Sequence, residues 1–359
     1  MLKDAKYLIA YLLPISGLLG ILWGGGWSFG SIYVGFGLLP LVELFTPAKG
    51  ENHHPEEEAE RSQSWFFDVL LYANLPILYA ILGYGLYVAT TQTLTGLETA
   101  GLICNLGLLV GTMGINVGHE LGHRTKRWEQ RIAQALLLTG LYTHFFIEHN
   151  RGHHKNVSTP LDPATSRLGE SIYAFWLRST VFSYLGAWKL ENSRLRKMGL
   201  PLLSWRNLMV RFTVLELAYL GVIYLCFDWY GLLLAVGIAI FGFLMLESVN
   251  YIEHYGLMRK RLPSGRYEPV SPRHSWNSDH EMGRIFLYEL TRHSDHHFKA
   301  TRKYQVLRRF EESPQLPAGY PGSILLSLVP PLWFRVMNER VRGYMATPSL
   351  AVEKRGLDM

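Results

Sequence analysis

Cysteine and charged residues are scarce in this sequence. Its 359 residues include two cysteines, Cys104 and Cys226, and both lie inside apolar runs. This placement excludes a disulfide framework, a Cys-x-x-Cys metal or redox site and a cysteine-ligated iron–sulfur cluster within the chain. Only 18% of the residues are charged, whereas 48% are hydrophobic. The length alone would allow two soluble domains, but this composition favours an integral membrane protein.

Lysine and arginine are missing from three long stretches, 7–48, 62–123 and 212–258. Apolar runs there are long enough to cross about 30 Å of hydrocarbon, and they predict an all-α protein with six transmembrane helices at about 7–24, 27–46, 69–90, 97–117, 207–227 and 231–252. Every basic residue then falls on the side of the N-terminus, so the positive-inside rule predicts that both termini are cytoplasmic. We therefore assign the net charge of +6 to cytoplasmic loops and not to nucleic-acid binding.

Two further stretches bear on this topology. The N-terminus begins like a signal peptide but has no Ala-x-Ala cleavage site and is followed at once by a second span, so we expect a retained helix. The apolar segment 132–147 is short for a span, and if it crossed, the histidines on its two sides would lie on opposite membrane faces. We predict that it does not cross. Residues 1–359 would then form one membrane-embedded domain with cytoplasmic segments 118–206 and 253–359.

Histidine is concentrated in four groups, each of which follows an even-numbered predicted span. Spacings of three and four residues place members of a group on one helical face, and adjacent members point about 100° apart. The set consists of His119, His123, His149, His153, His154, His254, His293, His296 and His297. Imidazole is a common ligand of transition metals, and one ion takes at most about six ligands, so the set predicts two metal ions. The adjacent pair His153 and His154 is suited to binding different ions.

Acidic side chains lie between these histidines. The candidate ligands, or acceptors for the second imidazole N–H, are Glu120, Glu148, Glu253 and Asp295. Three of them are further predicted to support catalysis by contacting the metal ligands: Glu120, Glu148 and Asp295. The sequence at 119–123 also fits the zinc-protease motif His-Glu-x-x-His, but a zinc site takes three protein ligands and would leave most of the histidines unused. Histidine-rich ligation with open positions suits iron that activates O₂. A metal transporter, the other alternative, would carry its histidines along the spans at mid-membrane.

Longer words surround the histidines: NxGHELGH, HFFIEHNRGHH, TPLDPATSRLGESIY, NYIEHYGL, PRHSWNS and RHSDHHFKATRKYQVLR. They resemble the bacterial membrane-bound alkane monooxygenases (alkane hydroxylases), which belong to the di-iron superfamily of membrane desaturases and hydroxylases. The similarity runs from about residue 30 to about residue 335. NYIEHYGL in particular distinguishes this family from fatty-acid desaturases. His144, His274 and His280 lie in or near these words but are not ligands in the family pattern.

The resemblance implies a non-haem di-iron enzyme of the bacterial cytoplasmic (inner) membrane, with two iron ions held by the nine histidines in a cytoplasmic cap. Such enzymes insert one atom of O₂ into a terminal C–H bond of an n-alkane. Their electrons come from a separate rubredoxin, which a rubredoxin reductase reduces with NADH. A membrane di-iron desaturase or hydroxylase that acts on acyl chains or aromatic methyl groups shares the histidine plan and stays an alternative.

Two finer expectations concern the alkane and the electron donor. The alkane has no polar group, so burial in an apolar channel must bind it, at about 0.8 kcal/mol per methylene. Gly35 lies where relatives carry a bulky residue that blocks this channel, so we expect longer alkanes to be accepted; a small residue that lets helices approach each other is the alternative. Basic residues at 151–155 and 299–309 are candidate docking residues for rubredoxin.

Overall fold

The structure, a computed structural model, describes residues 2–46, 48 and 50–346. The regular secondary structure of this part is helical, with isolated bridges and no sheet. In chain order the helices are α1 (Lys3–Trp23), α2 (Gly25–Phe45), α3 (Pro55–Gln63), α4 (Trp65–Thr91), α5 (Gly96–Gly122), α6 (Arg127–Leu138), α7 (145–156), α8 (Ile172–Lys197), α9 (Leu208–His254), α10 (Glu281–Phe286), α11 (His293–Phe298), α12 (Tyr320–Ser327) and α13 (Pro330–Ala346). Single 3₁₀ turns lie at Pro272–His274 and Tyr304–Val306.

Five of these helices, α1, α2, α4, α5 and α9, are long and apolar enough to cross a membrane. They cover the apolar runs found in the sequence. Large apolar side chains remain exposed on them, including Leu44, Phe45 and Leu225. An apolar outer surface of this extent is stable only against lipid. The chain is therefore a membrane protein with an all-helical fold.

The longest helix, α9, contains one residue outside the helical region. Asp228 has φ 57° and ψ −170°, and its carboxylate accepts a hydrogen bond from the backbone N–H of Trp229 at 2.7 Å. This residue lies between the apolar runs predicted at 207–227 and 231–252. A helix of 47 residues would be about 70 Å long, more than twice the hydrocarbon thickness. The non-helical residue divides α9 into two segments that are each long enough to span.

The turns that contain no lysine or arginine meet at one end of the bundle. Glu98 closes a capping box with Thr95 at the start of α5, and its Oε1 also accepts a hydrogen bond from the backbone N–H of Gly25 at 2.8 Å. The hydroxyl oxygens of Thr99 and Tyr230 are 3.4 Å apart. These contacts bring together the α1–α2 turn, the start of α5 and the middle of α9. The histidines of α5 and α9 lie at the opposite ends of these helices.

The segment predicted not to cross contains α6, a turn and the start of α7. Helix α6 has 12 residues and is about 18 Å long, too short to cross the hydrocarbon. It packs closely on α5 at Gly118, which has no side chain. A Cβ atom at this position would lie only 3.1 Å from the carbonyl oxygen of Ala133 in α6. The turn after it leads into α7, which thereby lies beside the histidine end of α5.

Candidate metal centre

All nine histidines predicted to bind metal come together in the structure, in two clusters. The first contains His119, His123, His149, His154 and His296, and the second contains His153, His254, His293 and His297. Within each cluster the potential ligand atoms lie within 4.8 Å of one another. Seven of the nine side chains are buried and two are half-buried. The adjacent residues His153 and His154 belong to different clusters.

The Nε2 atoms of the imidazoles face one another. In the five-histidine cluster, the distances along the series His119, His296, His154 and His149 are 2.9, 3.1 and 3.0 Å. In the four-histidine cluster, the distances along the series His153, His297, His293 and His254 are 3.2, 2.8 and 3.2 Å. Nitrogens that bind one ion at about 2.1 Å and about 90° from one another are about 3.0 Å apart. Both clusters therefore fit a metal ion ligated by imidazole.

Electrostatics also favour metal binding. Burial, and then repulsion from neighbouring imidazoles, holds the pKa well below its usual range for the histidines outside the long apolar helices: His123, His149, His154, His293, His296 and His297. These imidazoles are neutral at physiological pH, and neutral imidazole is the form that binds metal. The Nε2 atom of His123 is buried and has no hydrogen-bond partner among the described residues. An unpaired buried nitrogen is costly, and a bound cation would satisfy it.

Helix α7 changes the register that the sequence spacing suggests. The spacing of His149 and His153 predicts that both lie on one face of an α-helix. The structure has a π-helical turn at His149–His153, in which backbone hydrogen bonds join residues five apart instead of four. His149 therefore aligns with His154, and His153 turns to the other cluster. One widened turn thus lets a single short helix supply both clusters.

Helix α11 is held in place by the segments that precede and follow it along the chain. The backbone N–H of Ser294 donates to Oδ1 of Asn277 at 2.9 Å, and Nδ2 of Asn277 donates to the hydroxyl of Ser294 at 2.7 Å. Arg292 donates to the carbonyl oxygen of Leu307 at 2.6 Å. These buried hydrogen bonds fix the N-terminal end of the helix that carries the three histidines. The segments PRHSWNS and RHSDHH of the sequence are therefore joined by hydrogen bonds between Asn277 and Ser294.

Two carboxylates contact the histidines directly. Oδ2 of Asp162 lies 2.9 Å from Nδ1 of His153, and Oε2 of Glu253 lies 3.1 Å from Nε2 of His293. Burial opposes ionisation of Asp162, but the charge of His153 and hydrogen bonds from His153 and Thr165 lower its pKa. A carboxylate bonded to Nδ1 fixes the tautomer that presents Nε2 to a metal. Sequence reasoning did not assign this role to Asp162, because it lies in a loop without ligand spacing.

The three acidic residues singled out in the sequence have other contacts. Glu120 pairs with Arg124 at 3.0 Å and accepts the backbone N–H of Tyr304. Asp295 pairs with Arg308 at 3.1 Å. Glu148 is buried, and burial, together with the nearby Asp162 and Glu247, raises its pKa well above the usual range. Glu120 and Asp295 thus tie the segment that follows α11 to the ligand-bearing helices.

Replacing Asp162 with asparagine is expected to lower metal affinity by about 10- to 100-fold, because His153 loses the charged acceptor that orients it. The measurement is the iron content of purified protein after dialysis against a graded chelator series. Asp279→Asn is the matched control, since Asp279 pairs with Arg309 and lies outside both clusters. Equal chelator resistance of the two variants would contradict this role.

Side chains near the clusters also line an apolar cavity. Gly35, Leu108, Met245, Leu290 and Tyr320 are among its lining residues. The hydroxyl of Tyr320 donates to Glu253 at 2.7 Å, and Glu253 in turn contacts His293. One end of the cavity therefore lies two side chains from the four-histidine cluster. Gly35, the residue predicted to line a channel, borders this cavity.

The other residues named from the sequence lie outside the clusters. His274 is buried beside Ser271 and Glu268, and His280 is half-buried. Among the basic residues considered for docking, Arg308 and Lys303 pair with Asp295 and Asp68. Lys155 and Lys299 are exposed near the histidine end.

Comparison with known proteins places this architecture in a family. The profile of the fatty acid desaturase family matches residues 99–324. Alkane 1-monooxygenase 2 of Pseudomonas aeruginosa is 40% identical, over 96% of this chain and 94% of that protein. Alkane 1-monooxygenase 1 of the same organism is 40% identical over 89% of this chain and 84% of that protein. Alkane 1-monooxygenase 1 of Alcanivorax borkumensis is 39% identical over 94% of this chain and 85% of that protein.

Proposed function

The chain belongs to the alkane 1-monooxygenases within the fatty acid desaturase family, and we propose that it hydroxylates the terminal carbon of n-alkanes to 1-alkanols with O₂. The observation that carries this proposal is the apolar cavity whose Tyr320 end lies two side chains from the four-histidine cluster. A cavity without charged lining selects a hydrocarbon. The histidine-rich centre near its end suits iron that activates O₂.

We infer that the centre holds two iron ions, one in each cluster, with the nine histidines as ligands. When bound, the iron would activate O₂, so that one oxygen atom enters the C–H bond and the other leaves as water. The chain itself supplies burial and orientation. Asp162 holds His153 by its Nδ1 atom, and Tyr320 holds Glu253 beside His293. The ligand-bearing helices thereby keep their imidazoles aligned without a substrate.

Alkane binding follows from the cavity walls. Leu108, Met245 and Leu290 offer only apolar contacts, and the hydroxyl of Thr112 is already bonded to the carbonyl of its own helix at Leu108, 2.8 Å away. Each methylene removed from water contributes about 0.8 kcal/mol. Such a cavity measures the length and width of a chain, because Asn116 and Tyr320, the other polar residues that line it, are bonded to the carbonyl oxygen of Leu287 and to Glu253. The chain end nearest Tyr320 would be the end that reacts.

For the membrane we propose six spans, with both termini and the metal centre on the cytoplasmic side of the bacterial inner membrane. The division of α9 at Asp228 supports two spans within it, and the turns without basic residues lie together at one end. Lysine and arginine accumulate at the other end, as the positive-inside rule requires for the cytoplasm. Residues 1–359 would form one membrane-embedded domain.

Labelling of introduced cysteines tests this topology. In a background without Cys104 and Cys226, Gln92→Cys lies in the turn after α4, and Leu203→Cys lies in an exposed position after α8. In intact spheroplasts, a membrane-impermeant maleimide is expected to label residue 92 and to spare residue 203 until the cells are lysed. Labelling of residue 203 before lysis would contradict the cytoplasmic placement of the metal centre.

We propose that the electrons come from rubredoxin, reduced by rubredoxin reductase and NADH. Lys155 and Lys299 are exposed and follow His154 and His297 closely in the chain, so an acidic partner docked there would approach the metal centre. Electrostatic attraction of this kind raises the association rate and weakens with salt.

The deciding experiment is an assay of membranes that contain the chain, rubredoxin, its reductase, NADH and O₂ with a mixture of n-alkanes. Gas chromatography is expected to detect 1-alkanols. If protein that holds two irons forms no alcohol, the inferred metal centre stands but the alkane assignment is wrong. The substrate would then be an acyl chain or an aromatic methyl group.

A further inference from the structure

A second recess opens between α8, α9 and the turn before α7. The lining of this groove includes Tyr142, His144, Thr180, Val181, Tyr184 and Phe243. None of its lining residues borders the apolar cavity described above. Val181 and Leu185, on its outer edge, are 53% and 54% exposed. These exposed side chains of α8 give the groove an apolar outer edge.

His144 is an unexplained polar residue in this groove. Its side chain is buried, and its Nε2 atom has no hydrogen-bond partner among the described residues. The rings of Tyr142 and Tyr184 hold it, with centroid distances of 4.3 and 5.3 Å. Leaving a buried polar atom unpaired costs about 1–3 kcal/mol. An occupant with a hydrogen-bonding group would recover this free energy.

The groove favours an uncharged polar group. Burial lowers the pKa of His144 to about 3, so its imidazole is neutral at physiological pH. No lysine, arginine, aspartate or glutamate is among the lining residues, and phosphate or carboxylate groups are bound by cationic side chains. A hydroxyl group, which donates and accepts, fits a neutral imidazole beside the hydroxyls of Thr180 and Tyr142.

Two stacked rings separate the groove from the metal centre. The Tyr142 and Phe145 rings are stacked with centroids 6.2 Å apart, and the Phe145 ring is stacked on His149 at 4.6 Å. The Tyr142 hydroxyl donates to Glu247 at 2.8 Å, which fixes that ring.

We propose that the groove binds a long-chain primary alcohol, with its hydroxyl on His144 and its alkyl chain along Val181 and Leu185. This assignment rests on the proposed function, because the alcohol is the product formed at the metal centre. The alkane would bind in the apolar cavity, whereas this separate groove offers the alcohol a hydrogen bond that an alkane cannot use.

Photo-crosslinking to the iron-loaded full chain in phosphatidylcholine nanodiscs tests this site. The probe is 1-dodecanol with a diazirine next to the hydroxyl-bearing carbon, and the matched probe is dodecane with the same diazirine. No reductant is added. Mass spectrometry is expected to find the alcohol probe, and not the alkane probe, on residues 139–145 and 177–185. Unlabelled 1-dodecanol should compete, whereas phosphatidylglycerol should not.

Variants assign the contact. His144→Phe keeps an aromatic ring and removes the nitrogens, and at least a tenfold loss of labelling is expected. His54→Phe, at an exposed position, is the matched control. Val181→Trp leaves His144 intact and fills the groove from its exposed edge, so it should also abolish labelling. This variant tests the site should His144→Phe not fold.

The proposal is overturned if both probes label the groove equally, if the alcohol labels residues 108–116 instead, or if phosphatidylglycerol competes as well as the alcohol. Since no turnover takes place, this result is independent of the hydroxylation assay. Hydroxyl-dependent labelling in a protein that forms no alcohol from alkanes would overturn the proposed function and leave the alcohol site standing.

Discussion

His296→Ala is expected to abolish alkane hydroxylation and to leave purified protein with no more than one iron. The Nε2 atom of His296 lies 2.9 Å from that of His119 and 3.1 Å from that of His154. It therefore connects the ligands of α5 with those of α7. Loss of a residue that merely supports a ligand costs about 10- to 100-fold in metal affinity or activity, so loss of the ligand itself should exceed 100-fold.

The control for this variant is His280→Ala. His280 is half-buried and lies outside both clusters, so its removal should leave two irons and most of the activity. Iron is measured by inductively coupled plasma mass spectrometry, and 1-alkanols are measured by gas chromatography. A His296→Ala protein that retained two irons and formed alcohol would refute the assignment of the five-histidine cluster.

Gly35→Trp is expected to shorten the longest alkane that the enzyme accepts by several carbons. Gly35 lines the apolar cavity, and a Cβ atom at this position would already lie 2.9 Å from Cδ2 of Leu108. An indole group must therefore project into the cavity or displace Leu108. Each methylene excluded from the cavity forfeits about 0.8 kcal/mol, or about fourfold in binding, so the loss grows steeply with chain length.

A matched control for Gly35→Trp lies two residues further along the same helix. Gly37 is exposed, and nothing lies within 4 Å of a Cβ atom placed on it. Gly37→Trp should therefore leave the length window unchanged. The measurement is the alcohol yield from an equimolar series of n-alkanes. If both variants keep the original window, Gly35 serves helix packing and the cavity does not select length. Gly35→Ala provides a smaller step should the tryptophan variant not fold.

The sequence was sufficient for the long helices and for the identity of the histidines. Apolar runs without lysine or arginine leave few alternatives to membrane helices, because a charged side chain in hydrocarbon is costly. Four separate groups of histidine at ligand spacing left few alternatives to a metal centre. The prediction of an alkane monooxygenase, made from the words around those histidines, is confirmed by relatives about 40% identical over most of the chain.

Local spacing could not divide the histidines between the two clusters. An α-helical reading pairs His149 with His153, whereas the π-helical turn pairs His149 with His154. Packing against neighbouring helices decides whether a helical turn contains one additional residue. The spacing of the histidines in the sequence therefore does not predict the π-helical turn. The role of Asp162 as the partner of His153 could not be predicted for a similar reason, since it depends on a loop that folds back onto His153.

The sequence by itself determined which segments are apolar, which residues are able to bind metal and which family the chain resembles, because each of these properties belongs to residue types and their order. Only the tertiary structure decided which imidazoles face each other, that Glu120 and Asp295 pair with arginines, and that His144 lines a separate groove. Those contacts join residues far apart in the chain, and packing alone brings them within hydrogen-bond distance.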